Sequence, residues 1–273
     1  CSISGYGQYG PNVDKVGHDL NYAGEAGLLA LGSDGQGRPV VPATQVGDLG
    51  SALLAAMAVL MALLSRGKSG RGQYLDISMV DSITAFTLMS AAPYLALGDV
   101  PAESGLVHSR YACYNIYPTA DGRFLTLAAI EHKFWRNLCE ALDKPDWVRK
   151  HFDTAAQQGM IAELENIFRT RKSAQWLAAL QPRDVCIGPV SSVEEALTGE
   201  HAVARELTMT VAGKKRLGFA VKMSETPASA RALAPNWGEH TEQLLREVGY
   251  RDDQLAKSAS DGAVKLGAPR TTS

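Results

Sequence analysis

Three residues of this 273-residue chain stand where chemistry is usually done: His18, Asp48 and Glu131. Each lies where a loop is expected to meet a regular element, the common place for groups that act on a ligand. His18 sits in Gly17-His18-Asp19-Leu20-Asn21-Tyr22, at the start of a short helix expected over about 19–30. Asp48 closes Thr44-Gln45-Val46-Gly47-Asp48, at the mouth of an apolar run over 49–64. Glu131 ends a strand expected over 125–130 and begins the next helix. An imidazole and two carboxylates are groups that hold and move protons. Each also has a structural use. Asp48 as a helix N-cap would contribute about 1 kcal/mol. The same unpaired N–H groups and helix dipole would hold it ionised within reach of a ligand. His18 beside Asp19 could be a turn residue satisfied by backbone bonds, and Glu131 a solvated carboxylate in a first helical turn. Spacing alone leaves these uses open.

Other candidates fall away. Cys186 lies in the apolar stretch Val185-Cys186-Ile187-Gly188-Pro189-Val190 with no histidine nearby, which suits a buried inert thiol. Ser78 and Ser173 read as caps. His108, His132, His151, His201 and His240 show no metal-ligand spacing, so no metal is expected. Gly5-Tyr6-Gly7-Gln8-Tyr9-Gly10 spells the dinucleotide fingerprint, but Pro11-Asn12 follows and no apolar helix opens there. Gly67-Lys68-Ser69 suggests a P-loop, but Ala62 stands where the earlier glycine is required.

The elements that must carry these residues follow from composition and periodicity. The chain is 45% hydrophobic and 21% charged with a formal charge of −2, which fits an ordinary globular chain and gives no basic footprint for nucleic acid. Cys1, Cys113, Cys139 and Cys186 are scattered without a C-x-x-C pair, which suggests reduced thiols and a cytoplasmic setting. After Ser51 every residue to Leu64 is Ala, Leu, Met or Val. That run stops short of the 18 or more residues a membrane span needs, so a buried helix is expected. A strand over 73–77, a helix over about 78–96 and a linker over 99–110 follow. Next come a hairpin turning at Thr119-Ala120-Asp121-Gly122-Arg123 and a helix with Phe134, Trp135, Leu138 and Leu142 at helical spacing. Helices over 154–169, 173–180 and 193–197 come next, then extended pieces around Gly213-Lys214-Lys215. A helix over 239–248 precedes a polar tail from Asp252 that is expected to be mobile. The division expected is a first α/β body over 1–98 around the helix 49–64, the linker, a small α/β domain over 111–206, and a return segment over 207–273. The absence of Met at Cys1 and the strand-like start suggest a chain that opens in the middle of a domain.

Several separated segments, taken together, resemble the family III CoA-transferase superfamily of the CaiB/BaiF type. They are Ser4-Gly5-Tyr6-Gly7-Gln8-Tyr9-Gly10-Pro11, Gly17-His18-Asp19-Leu20-Asn21-Tyr22, Pro42-Ala43-Thr44-Gln45-Val46-Gly47-Asp48, Ser69-Gly70-Arg71-Gly72-Gln73, Asp76-Ile77-Ser78-Met79-Val80-Asp81, Ala128-Ala129-Ile130-Glu131, Cys186-Ile187-Gly188-Pro189-Val190 and Gly238-Glu239-His240-Thr241. They run in that family's order. The resemblance implies an α/β fold with a Rossmann-like large domain, here incomplete at its N-terminus, and a smaller α/β domain, in dimers interlocked like chain links. Within the superfamily the chain is most similar to the racemase branch, which epimerises 2-methyl-branched acyl-CoA in lipid metabolism. That branch uses a Gly-His-Asp histidine and an aspartate 30 positions later, as Asp48 follows His18 here. A glutamate matching Glu131 supports the histidine. The superfamily's transferases instead use the aspartate matching Asp48 as a nucleophile that forms an acyl anhydride. They often carry a glycine-rich loop where this chain has Ala128-Ala129-Ile130-Glu131-His132-Lys133, and many lack the histidine.

The resemblance further implies that Gly17, His18, Asp19, Leu20, Asn21 and Tyr22 lie along bound CoA. Backbone N–H groups near Asp48 would polarise the thioester oxygen. CoA enters as part of the substrate, and no permanently bound cofactor is expected. The expected partners are an acyl-CoA thioester and either a second copy of the chain or a partner chain that completes the large domain. Neither nucleic acid nor a membrane span is expected. A non-catalytic subunit with the same fold is the remaining reading.

Overall fold

The structure is a computed structural model that describes residues 1–33, 37–98, 110–230 and 234–267. Its architecture is mixed α/β, with three small sheets among the described residues. The chain forms two compact units, Cys1–Val190 and Ser191–Ser273.

In the first unit, strand β1 (Ser2–Ser4) pairs in parallel with β2 (Asp76–Ser78), with Ile3 opposite Ile77. Parallel partners need a crossover. Here it contains helix α1 (Asp19–Glu25), a short 3-10 turn (Leu29–Leu31) and helix α2 (Val46–Ser69). Gly70 ends α2 in the left-handed conformation at φ 71° and donates its N–H to the Arg66 carbonyl, a closure glycine makes without steric cost. Helices α3 (Met79–Phe86) and α4 (Leu88–Leu97) follow β2 directly. The Ser78 hydroxyl caps α3 by accepting from the Asp81 N–H at 3.1 Å. A small core of Tyr22, Ala23 and Ile83 ties α1 to α3.

Two expectations for this half need correction. The helix expected over 78–96 is two helices: it tightens at Thr87, whose N–H and hydroxyl both turn back to the Thr84 carbonyl. The apolar helix is longer than 49–64, and it is not buried. Leu53 is 67% exposed and Leu64 72%, and Leu49, Met57, Leu60 and Met61 are exposed as well. At 24 residues α2 also passes the length and composition test for a membrane span, a test that core helices of soluble proteins pass too. Most of the expected linker, residues 99–109, lies outside the described residues.

Residues 110–190 carry the larger core. Strands β3 (Tyr114–Pro118), β4 (Phe124–Ala128) and β5 (Ile187–Pro189) form an antiparallel sheet in that order. Helices α5 (His132–Ala141), α6 (Thr154–Phe168) and α7 (Ser173–Leu180) supply Trp135, Leu138, Leu164, Phe168 and Leu180 to the core beside Tyr117, Leu125 and Leu127. Polar groups inside this core are paired. The Tyr117 hydroxyl donates to the Ala112 carbonyl at 2.7 Å, and Gln157 accepts from Ala112 N–H while donating to the His151 and Asp153 carbonyls. Burial pushes the Cys113 thiol up to about 11 and Cys139 to about 12, which keeps both inert.

The second unit holds α8 (Val193–Thr198), α9 (Glu200–Ala204), the hairpin β6 (Thr208–Val211) and β7 (Lys214–Leu217), and α10 (Thr241–Glu247). The polar tail expected from Asp252 opens with a helix instead, α11 (Asp252–Ser260), anchored by buried Leu255.

One core residue makes stability depend on pH. The His151 ring is buried, stacked on Trp135 at 5.2 Å and on Phe152 at 4.0 Å. Its Nε2 lies 3.1 Å from the Ala129 carbonyl, which can only accept, so Nε2 carries a proton. Burial holds the imidazole below its ordinary value; the Ala129 bond pulls the other way more weakly, and nearby His132 adds a small downward push. The folded state therefore binds fewer protons than the unfolded state below about pH 6.5. The stabilisation is complete above that value and is lost as pH falls toward the lowered folded value. We expect His151→Phe, which keeps a ring but cannot titrate, to be less stable at neutral pH by about 1 kcal/mol for the lost bond. Its urea midpoint should fall less between about pH 7 and about pH 5 than that of the parent chain. Parallel midpoints would contradict the assignment.

Candidate active site

The site is built by two segments held together at one carboxylate. His18 is the extended residue ahead of α1, at φ −126° and ψ 173°. Its N–H donates to the Asn21 side-chain oxygen at 3.1 Å, and its carbonyl accepts from the N–H groups of Asn21 and Tyr22. Gly17 is fixed by the Tyr22 hydroxyl, which donates to the Gly17 carbonyl at 2.5 Å. The Tyr22 ring lies so close to the glycine loop that a Cβ on Gly5 would stand 2.5 Å from it and one on Gly17 2.7 Å. Tyr6 packs edge-on against Tyr22 at 5.3 Å, and both the Tyr6 hydroxyl and Lys15 Nζ reach Glu25 Oε1. The glycines that spell a nucleotide fingerprint therefore serve close packing on a tyrosine and the left-handed turns at Gly7 and Gly10.

The second segment is the start of α2. Asp48 lies in its first turn, but its carboxylate is not the cap. Asp19 takes that place from another helix: its Oδ1 accepts from Gly47 N–H at 2.6 Å and Asp48 N–H at 3.1 Å. Of the two uses that spacing left open for Asp48, capping is thus not the one found, and two of the helix-mouth donors expected to meet a thioester oxygen, the N–H groups of Gly47 and Asp48, are already committed to Asp19. A carboxylate at this point also meets the positive end of the α2 dipole.

His18 and Asp48 line the same pocket, of about 400 Å³. Gly17, Asp19, Leu20 and Tyr22 line it from the α1 side, and Val41, Pro42, Thr44 and Gln45 from the approach to α2, with Met79 also in the wall. Five of the six residues expected along the ligand are in this wall; Asn21 is not, and its side chain instead holds the His18 N–H. Sequence reasoning passed over Thr44 and Gln45 as pocket residues and the side chain of Asp19 as a cap. The available signal was Gly47: a glycine in a first helical turn costs stability unless something must come close. A Cβ there would lie 2.9 Å from both Asp19 Oδ1 and Ile83 Cδ1.

Glu131 is not in the wall of this pocket. It is the exposed N-cap residue of α5, and its carbonyl accepts from Phe134 and Trp135 N–H. It belongs to a cluster at the end of β4 that includes the Lys133–Asp184 ion pair and Cys186. Burial, then the charges of Glu131 and Asp184, push the Cys186 thiol up, so it is no activated nucleophile.

A family model described as CoA-transferase family III matches residues 1–241. Alpha-methylacyl-CoA racemase of Mus musculus is 30% identical over 96% of this chain and 70% of its own length. Succinyl-CoA:glutarate CoA-transferase of Mus musculus is 27% identical over 97% of this chain and 63% of its own. The chain thus spans about two thirds of the length of these relatives. Among solved structures, a CAIB/BAIF family protein from Brucella suis shares the fold with a TM-score of 0.75 at 24% identity, over 91% of this chain and 67% of that one.

Tyr22→Phe tests the support of His18. Loss of one part-buried hydrogen bond costs about 1 kcal/mol, or about fivefold in local opening. Amide exchange at Gly17 and His18 should quicken by about that factor while Ala129, bonded within the other core, is unchanged. Unchanged exchange at 17–18 would show that the hydroxyl does not hold the loop.

Proposed function

This chain belongs to CoA-transferase family III, and on that premise we propose that it works as an acyl-CoA racemase on 2-methyl-branched acyl thioesters. The observation that carries this reading is one pocket lined by both an imidazole and a free carboxylate, His18 and Asp48. A proton α to a thioester is weakly acidic, so its removal needs a positioned base, and inversion needs an acid on the opposite face. One of the pair takes the proton from one face while the other returns a proton to the other face; the roles exchange for the opposite epimer. The enolate between these steps needs hydrogen-bond donors at its oxygen. Because the N–H groups of Gly47 and Asp48 are spent on Asp19, the donors assigned here are the Thr44 hydroxyl and the Gln45 amide in the same wall. CoA itself runs along Gly17, His18, Asp19, Leu20 and Tyr22. Glu131, outside this pocket wall in its own chain, is assigned to orient the imidazole only from a second copy of the chain in the proposed dimer.

On the same reading, residues 1–98 are part of a Rossmann-like domain. The support is the parallel pair β1–β2 with its helical crossover. An interlocked homodimer, or a partner chain completing that domain, belongs to the proposal. Its support is the exposed apolar face of α2, larger than single surface residues explain.

The second reading is a CoA transferase with Asp48 as nucleophile. It is favoured by the release of the Asp48 carboxylate from capping and by the transferase relatives. Incubation of the full protein with a 2-methylacyl-CoA and a free carboxylic acid in deuterated water separates the two. The racemase puts deuterium at the α carbon and leaves CoA on its original acyl group. Movement of CoA to the free acid, with an acyl group on Asp48 trapped by hydroxylamine, would establish the transferase. Neither event would leave a non-catalytic subunit.

A further inference from the structure

We propose that Asp19 is a positioning residue for the reaction, because its carboxylate sets the separation of His18 and Asp48. The proposal rests on the pair assigned above. His18 precedes Asp19 in the chain and Asp48 follows Gly47, so the two reacting groups are covalent neighbours of the two ends of one clamp. The clamp is Asp19 Oδ1 accepting from Gly47 N–H at 2.6 Å and Asp48 N–H at 3.1 Å, across 28 and 29 residues of sequence. Both ends are otherwise restrained. The His18 backbone is held by Asn21 and Gly17 by Tyr22. Gly47 is buried, and a Cβ on it would stand 2.9 Å from Asp19 Oδ1 and from Ile83 Cδ1, so the approach is as close as the backbone allows.

Among the described residues no other side chain caps the start of α2. Gln45, the residue at the cap position of α2, makes no side-chain cap bond, and Asp48 does not reach back to its own helix. Because the oxygen of Asp19 occupies the two donors, Asp48, a residue of the pocket wall, makes no cap bond, and its carboxylate is left to take up and return a proton. Asp19 thus differs from a residue that only lines bound CoA: its side chain acts through Gly47 and Asp48, not through the ligand.

Three substitutions at one position distinguish geometry from charge and from ligand binding. Asp19→Asn keeps an acceptor oxygen in place and loses the charge. Asp19→Glu keeps the charge and moves the oxygen by one methylene. Asp19→Ala removes both. In α-proton exchange by the full protein, displacement of a reacting group by about 1 Å costs on the order of 100-fold. Asp19→Ala and Asp19→Glu should lose kcat on that scale with little change in KM for the acyl-CoA, while Asp19→Asn recovers most of the loss. If Asp19→Ala does not fold, the Asn and Glu variants decide the matter. Glu active with Asn impaired, or an effect confined to KM, would overturn the proposal. His18→Ala and Asp48→Ala serve as controls. If they abolish epimerisation while Asp19→Ala retains it, the clamp alone is refuted; if they retain epimerisation, the assigned pair fails and the clamp with it.

Discussion

Two hydrogen bonds to one oxygen organise the first body of this protein. Asp19 Oδ1 joins the start of α1 to the start of α2, and it does so with a charged acceptor. Charge-assisted bonds of this kind are shorter and about twice as strong as neutral ones. Groups at the ends of elements would otherwise drift, since neither His18 nor Asp48 is buried. The tolerances around the clamp are tight on both sides. Tyr22 leaves no room for a side chain at Gly5 or Gly17, and Ile83 leaves none at Gly47. Small residues are needed where backbone, ring and carboxylate converge, and the glycines of this region are spent on that convergence.

The same body shows where burial runs short. Helix α2 buries its first turns through Gly47, Gly50, Ser51 and Ala55, against neighbours that include Phe86 of α3. Beyond Ala55 its leucines and methionines are open to solvent, as is much of the α4 surface, including Met89 and Leu95. The β1–β2 pair is a two-stranded sheet, and a two-stranded sheet has two open edges. Within it, at the start of β2, one carboxylate oxygen of Asp76 is buried without a hydrogen-bond partner among the described residues, while the other accepts from Gln8 N–H. The region at 110–190 is the opposite case, with a closed aromatic core and its interior polar groups paired.

Much of this was legible in the sequence, for physical reasons that differ by element. The β3–β4 hairpin was readable because the Thr119–Arg123 turn residues and the strand alternation agree. Helix α5 was readable because Phe134, Trp135, Leu138 and Leu142 recur at helical spacing, and Trp135 and Leu138 are indeed buried. The joint placement of His18 and Asp48 came from motif order, since no local rule connects residues 30 apart. The clamp was not legible. An aspartate beside a histidine at a helix start looks like a first-turn acid, and its true partners lie 28 residues on. Burial of α2 was misjudged because an unbroken apolar run reports what a surface prefers and not what covers it. The break at Thr87 was missed because a Thr–Thr capping turn is decided by hydrogen bonds within one turn, which periodicity does not register.

The account stands on His18 and Asp48 addressing opposite faces of one α carbon. Deuterium exchange from each single epimer of a 2-methylacyl-CoA, followed separately in His18→Ala and Asp48→Ala, tests this most directly. The account predicts a mirrored pattern: each variant loses exchange from one epimer and keeps it from the other. Equal loss from both epimers in either variant, or no loss in both, would contradict it.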